Sequence, residues 1–443
     1  MATYYVDQNH LSADDAGAGT SESAPWKTLH RAVDGIPTRE SGGSGGPYSP
    51  VVAGDTVYAK NGTYHDVRTA ATERDVAFNT TNSGTAAQRV NFRAYPGHSP
   101  VVSRELHGVA GINNPVIGAN VKSYFTWDGF TLGSECQISC YGATAPIIER
   151  CKVDTGTTGN NASGNYDGIR MEDCIDGIVR WNDVRNVRMV PPENSNTCGL
   201  KVYDCTGLRN YQNSYINCYA GIYDKRGTVD GLHELNYVEG VAQTIRVEHN
   251  DVEINGLVFR YNVLTNATNA GLKWNLSGVT PVAGIEFYNN TVYGALLGLV
   301  DEDDNHVNQK HYNNIFYISG GGGRTHFLFE GGGLSPGLLS DYNCFSDTPI
   351  VLYDGVANRD LPTWQSLHTL DLGSIAQDPL FVGPLNSPWS VGLFKLQGTS
   401  PCLSAGRVGG VSGGSAINMG AFAVGDEVIG VEPGAARIAL FLS

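Results

Sequence analysis

Residues 168–182, GIRMEDCIDGIVRWN, are followed by 199–213, GLKVYDCTGLRNYQN, and by 221–236, GIYDKRGTVDGLHELN. Each stretch opens with a short strand signal, turns, and enters a second strand signal that ends on an asparagine. The first signal recurs as TIRVE at 244, GLKWN at 271 and GLVDE at 298, so that successive copies lie 22 to 31 residues apart. The second recurs as GLVFRYNVL at 256, GIEFYNNTV at 284 and QKHYNNIFYI at 309, in phase with the first. Two phased ladders with a period of twenty to thirty residues predict an all-β chain, a right-handed parallel β-helix solenoid with one coil per step. A solenoid also explains how 443 residues build one core, since each coil touches only its neighbours.

The asparagines of the second ladder, Asn182, Asn213, Asn236, Asn262, Asn290 and Asn314, fall at matching positions. Stacked at the strand spacing of about 4.8 Å, they are expected to hydrogen-bond along the solenoid and support the bend between sheets. Cys151, Cys174 and Cys205 follow Ala145, Gly168 and Gly199 by six residues and read as a buried stack of free thiols, the alternative being a disulfide from one coil to the next. SAPWKTLHRAVDGI spaces Trp26, Leu29, Val33 and Ile36 near a helical period, which predicts an N-terminal capping helix over about 20–38. The expected organisation is a single domain over 1–423, with irregular last coils over about 340–423 and a tail over 424–443.

Composition narrows the function. Glycine is frequent (56 residues), charged residues are sparse (16%), and the net charge of −15 argues against a nucleic-acid partner. No run is long enough to span a membrane, so no membrane partner is expected either. The nine cysteines include no CxxC zinc spacing. MATYYVDQNH does not read as a signal peptide, so a secreted or extracellular protein is expected in trimmed form, and as a monomer.

Strand alternation turns the first ladder into a surface map. With the residue after each glycine inward, the third positions face out: Arg170, Lys201, Tyr223, Arg246, Lys273 and Val300. The fifth positions do the same: Glu172, Tyr203, Lys225, Glu248, Asn275 and Glu302. Stacked basic residues repel one another, and an anionic ligand would relieve them. A linear uronate polymer fits such a strip, with Arg170, Lys201, Tyr203, Glu248, Lys273 and Asn275 as substrate-binding candidates. Cleaving it by β-elimination needs the carboxylate charge offset, the C5 proton removed and the leaving oxygen protonated. Tyr223, between Lys201 and Arg246, is either a base with a favoured phenolate or a stacking platform for a sugar ring. His233 acts as acid or base if its turn folds towards this face, and otherwise is a surface histidine. The run DEDDNH, Asp301 to His306, could bind a cation or carry hydrolytic carboxylates, and is otherwise a solvated loop edge.

YYVDQNH, APWKTLHRAV and AGDTVYAKNGTY, with the closing DPLF, SPCLSAG and MGAF, resemble the ends of pectate-lyase-like right-handed β-helix proteins over nearly the whole chain. TIRVEHN around Arg246 is similar to the motif of the chondroitinase B and alginate lyase family. That resemblance implies Lys225, one coil earlier, as the catalytic base, and Arg246 as the group that stabilises developing charge or assists the leaving oxygen. The acidic residues that calcium-binding members of that family place before the lysine are missing from INCYAGIYDKRG, so no metal ligands are assigned and calcium stays an open cofactor. Lys201, Arg170 or Lys273 would then offset the substrate carboxylate. The expected function is a polysaccharide lyase acting on an anionic uronate polymer. The alternatives are a glycoside hydrolase, for which Asp224 and Glu248 are the nearest pair although alternation points Asp224 inward, and a non-catalytic glycan-binding protein.

Overall fold

The computed structural model describes residues 1–68, 75–104, 115–134, 136–156, 167–188, 196–248, 252–275, 283–302, 306–318, 324–330, 333–346, 349–383 and 391–422. The chain is a right-handed parallel β-helix. Among the described residues it has three sheets of twelve strands, almost all paired in parallel. One sheet carries the long strands, such as Asp167–Glu172 and Cys198–Tyr203. The other two carry mostly short strands. Two compact units are distinguished: residues 1–210, 215–232 and 245–255, and residues 211–214, 233–244 and 256–443. No described helix is long and apolar enough to cross a membrane.

The first predicted ladder appears as Asp167–Glu172, Cys198–Tyr203, Ala220–Lys225, Gln243–Glu248, Ala270–Asn275 and Leu297–Asp301. The second ladder is not one strand per coil but two, in different sheets: GIVRWNDV becomes Ile178–Arg180 and Asp183–Arg185. A left-handed residue makes the bend. Trp181, Gln212, Leu235, Tyr261, Asn289, Asn313 and Tyr342 all have φ between 55° and 59° or close to it, at 53° for Asn289. Each costs about 1 kcal/mol or more for a residue with a Cβ, so each corner needs support.

That support is the asparagine ladder. In the second unit the main-chain N–H groups of Asn213, Asn236, Asn262, Asn290 and Asn314 each donate to the side-chain oxygen of the next ladder asparagine, at 2.9 to 3.0 Å. The series runs on to Asn343, which the sequence reading missed. In the first unit Asn182 accepts from the Cys151 N–H at 2.9 Å. Cys151 therefore stands at the head of the asparagine corner, and the expected three-cysteine stack is corrected. Cys174 and Cys205 lie at a different corner, after two long strands, where the Cys174 N–H donates to the Cys205 sulfur at 3.4 Å. All nine cysteines are free and buried.

The capping helix is shorter than expected, Leu29–Val33. Thr28 caps its start by accepting from the Arg31 N–H, and Gly35, at φ 74°, lets the chain leave. The buried Glu40 carboxylate accepts from the Leu29 and His30 N–H groups. Near the far end Leu361–His368 forms a helix capped by Asp360, with Trp364 buried against Phe329. The tail from residue 423 lies outside the described residues.

Candidate active site

Within the first unit, four long strands hold the candidate residues in register. Arg170 lies beside Lys201 and Lys201 beside Tyr223, while Glu172 lies beside Tyr203 and Tyr203 beside Lys225. The alternate residues Ile169, Leu200, Ile222 and Ile245 are fully buried in the interior. The apolar set therefore lies inside, in the phase read from the sequence, and a slip by one residue would exchange it for the charged set.

The third-position row is not an open strip of unpaired cations. Tyr223, Lys201, Arg246 and Arg170 are all buried. Lys201 Nζ lies 2.9 Å from Asp167 Oδ1 and donates to the Asn196 carbonyl at 2.6 Å. Arg170 pairs with Glu172 at 2.7 Å and with Asp167 at 3.4 Å. Arg246 pairs with Glu248. The expected repulsion is thus relieved from within by Asp167, Glu172 and Glu248. Asp167 and Asn196 were missed because each lies at or beyond the edge of a strand signal, where alternation assigns no partner.

Tyr223 is the centre of this arrangement. The Arg246 guanidinium lies 4.7 Å from its ring centroid, Lys225 Nζ 5.4 Å and Lys201 Nζ 5.5 Å. Its hydroxyl donates to Glu248. Burial pushes the phenol well above its ordinary pKa, and this outweighs the opposing effect of Arg246. The favoured phenolate expected from the neighbouring positive charge is corrected: desolvation wins. Burial also works to raise Glu248, but the Tyr223 hydrogen bond and the charges of Arg246 and Lys225 hold it below the ordinary carboxylate value.

Lys225 differs from its neighbours. Its side chain is 14% exposed, against 2% for Lys201. Its Nζ lies 3.6 Å from Glu248 Oε1 and donates to Asn196 Oδ1 at 3.2 Å. Burial, assisted by Lys201 and Arg246 and opposed by Glu248, holds its pKa below that of an ordinary lysine. Lys225 and Arg246 thus meet at one carboxylate. On the same face Arg226, 45% exposed, donates to the Tyr203 hydroxyl at 3.0 Å and lies 3.7 Å from Asp204. The sequence reading passed over Arg226 because it follows the strand, at a left-handed turn (φ 47°).

Other expected residues lie elsewhere. His233, in the second unit, is neither a surface histidine nor part of this face: it is buried, with its ring stacked on Phe259 at 4.9 Å, because it is the inward middle residue of Leu232–Glu234. Lys273, also in the second unit, is paired with Glu302. The side chain of Asn275 lies outside the described residues. In the acidic run, Asp301 is buried between His306 and Ser335, so it is not a solvated loop edge; residues 303–305 lie outside the described residues. Asp224 is fully buried and Glu248 is not, so the two do not flank a common bond. Among the described residues no group of three or more His, Cys, Asp or Glu side chains is placed to hold a metal ion.

No family model matches the chain, and no curated protein matches it in sequence. Among solved structures, the XylC complex with xylose aligns at 10% identity with a TM-score of 0.47, covering 87% of this chain and 88% of that one. A rhamnogalacturonan lyase aligns at 13% identity with a TM-score of 0.39, covering 74% and 84%. The crystal structure of pectate lyase Pel9A aligns at 14% identity with a TM-score of 0.53, over 96% of both chains, so this chain shares the parallel β-helix fold of that protein.

Proposed function

We propose that the chain cleaves an anionic, uronate-containing polysaccharide by β-elimination, with Lys225 as the base. The observation that carries this reading is the state of Lys225. It is the partly exposed amine of its face, its counter-charge on Glu248 is shared with Arg246, and its proton is held less tightly than an ordinary lysine's. In the reaction Lys225 Nζ takes the C5 proton, and the electrons of that bond form the C4–C5 double bond. The C4–O4 bond breaks, and the departing oxygen takes a proton from solvent. Arg246 offsets the charge that develops.

Lys201 and Arg170 are held by short, buried contacts with Asp167 and Glu172, whereas Arg226 is 45% exposed and its contact with Asp204 is longer, at 3.7 Å, so the substrate carboxylate falls to Arg226. The likeness to pectate lyase Pel9A supports a carbohydrate substrate through the fold alone. A polysaccharide is met outside the cell, so the same reading goes with a secreted protein, for which we propose action as a monomer. The test is a panel of alginate, pectate, glucuronan and glycosaminoglycans. At least one should yield an unsaturated uronate absorbing in the near ultraviolet; hydrolysis products, or no product from any of them, overturn the reading.

A further inference from the structure

Glu248 touches Tyr223, Arg246 and Lys225 at once and has not yet been given a role. One of its oxygens accepts from the Tyr223 hydroxyl and from the Arg246 guanidinium. The other faces Lys225 Nζ at 3.6 Å. Its carboxylate therefore joins two adjacent strands, Ala220–Lys225 and its own Gln243–Glu248. From a third strand, Cys198–Tyr203, Lys201 reaches the Tyr223 ring, and Cys198 lies in the same buried cluster as Tyr223. A substrate-binding carboxylate would repel a polyanion, and this one is fully engaged by protein groups.

We propose that Glu248 is the positioning residue of this face: it fixes the Arg246 guanidinium and the Tyr223 phenol on one oxygen, and aims and tunes the Lys225 amine with the other. This rests on the lyase reading only for its consequence in turnover. The geometry requires two kinds of order. The guanidinium must be held while charge develops, which a carboxylate two residues along the same strand does without moving. The amine must be held but left able to accept a proton, and 3.6 Å is longer than a direct charge-assisted hydrogen bond. Glu248 accepts hydrogen bonds from Tyr223 and Arg246, so Lys225 feels only part of its charge. Tyr223 is the buried spacer that keeps Lys201, Lys225 and Arg246 apart around its ring.

The test uses the full chain and reads the lysine directly. Lysine titration is followed by NMR on reductively methylated protein, with Lys225→Arg assigning the signal, in wild type, Glu248→Gln and Glu248→Asp. Removing a negative charge at this distance should lower the Lys225 titration midpoint by about one unit or more. Glu248→Asp keeps the charge but shortens its reach, so it should lower the midpoint by less than Glu248→Gln does. With the substrate found by the panel, Glu248→Gln should lower kcat more than it raises KM and move the ascending limb of the pH profile, where the base loses its proton, by the same amount as the NMR midpoint. A Lys225 midpoint unmoved in Glu248→Gln overturns the assignment. So does a variant whose only change is in KM. If no polymer is cleaved, the lyase reading fails while the NMR shift still decides the role of Glu248. Should Glu248→Gln fail to fold by circular dichroism, Glu248→Asp decides alone, because a shortened carboxylate should displace both the midpoint and the limb.

Discussion

Lys225 and Lys201 are lysines of one face whose chemistry differs because their surroundings do. Lys201 is sealed against Asp167 and the Asn196 carbonyl, whereas Lys225 keeps solvent contact and a shared counter-charge. The sign of the pH effect follows. A base must be neutral to act, and Lys225 loses its proton below the ordinary lysine value of 10.5. Turnover should therefore rise with pH, with its inflection below that value, in a profile of kcat/KM against pH on the cleaved polymer. A profile that falls across this range, or one that inflects above 10.5, contradicts a depressed lysine base. Which residues share this face was legible, since alternation has only two phases. What was not legible is burial and the pairing that goes with it: Asp167 stands at a strand edge and was missed, and Glu172 and Glu248, read only as outward-facing, spend their charge on the basic row. For Tyr223 the neighbouring cations were read correctly, yet desolvation, which depends on packing, decided the direction.

At the scale of elements, the corner between the two short-strand sheets is the best determined feature. Its asparagines were legible as a ladder because they recur in phase, and the ladder does join one coil to the next. The left-handed residue before each asparagine was not legible, since Trp181, Leu235 and Tyr261 are side chains that rarely adopt that backbone. Asn262 accepts from the Asn236 main chain and amide, and donates to the His233 carbonyl and to Asn290. Asn262→Ala should leave the Asn236 N–H and the His233 carbonyl buried without these partners, at a cost of about 3 kcal/mol. A urea titration should show the midpoint falling accordingly, whereas an unchanged midpoint would mean that the ladder is ornamental. Cys151 at the head of the corner shows how a spacing of six residues from a strand start misleads when the preceding strand belongs to another sheet.

For the molecule as a whole, the solenoid was legible because its period repeats many times, so errors in single coils average out. The helix Leu361–His368 was not, because it occurs once and its cap, Asp360 before Leu-Pro-Thr, has no second copy to be compared with. Net charge was equally blunt: −15 over the chain coexists with a face where Arg170, Lys201, Lys225 and Arg246 meet Asp167, Glu172 and Glu248. On the proposed reaction, the chemistry of so large a scaffold turns on one amine. The most direct test is the turnover of Lys225→Ala beside wild type on the polymer that the panel identifies, read as unsaturated product in the near ultraviolet. The expected result is a loss of about a hundredfold or more, with circular dichroism and urea midpoint unchanged. A Lys225→Ala protein that turns over at the wild-type rate contradicts Lys225 as the base.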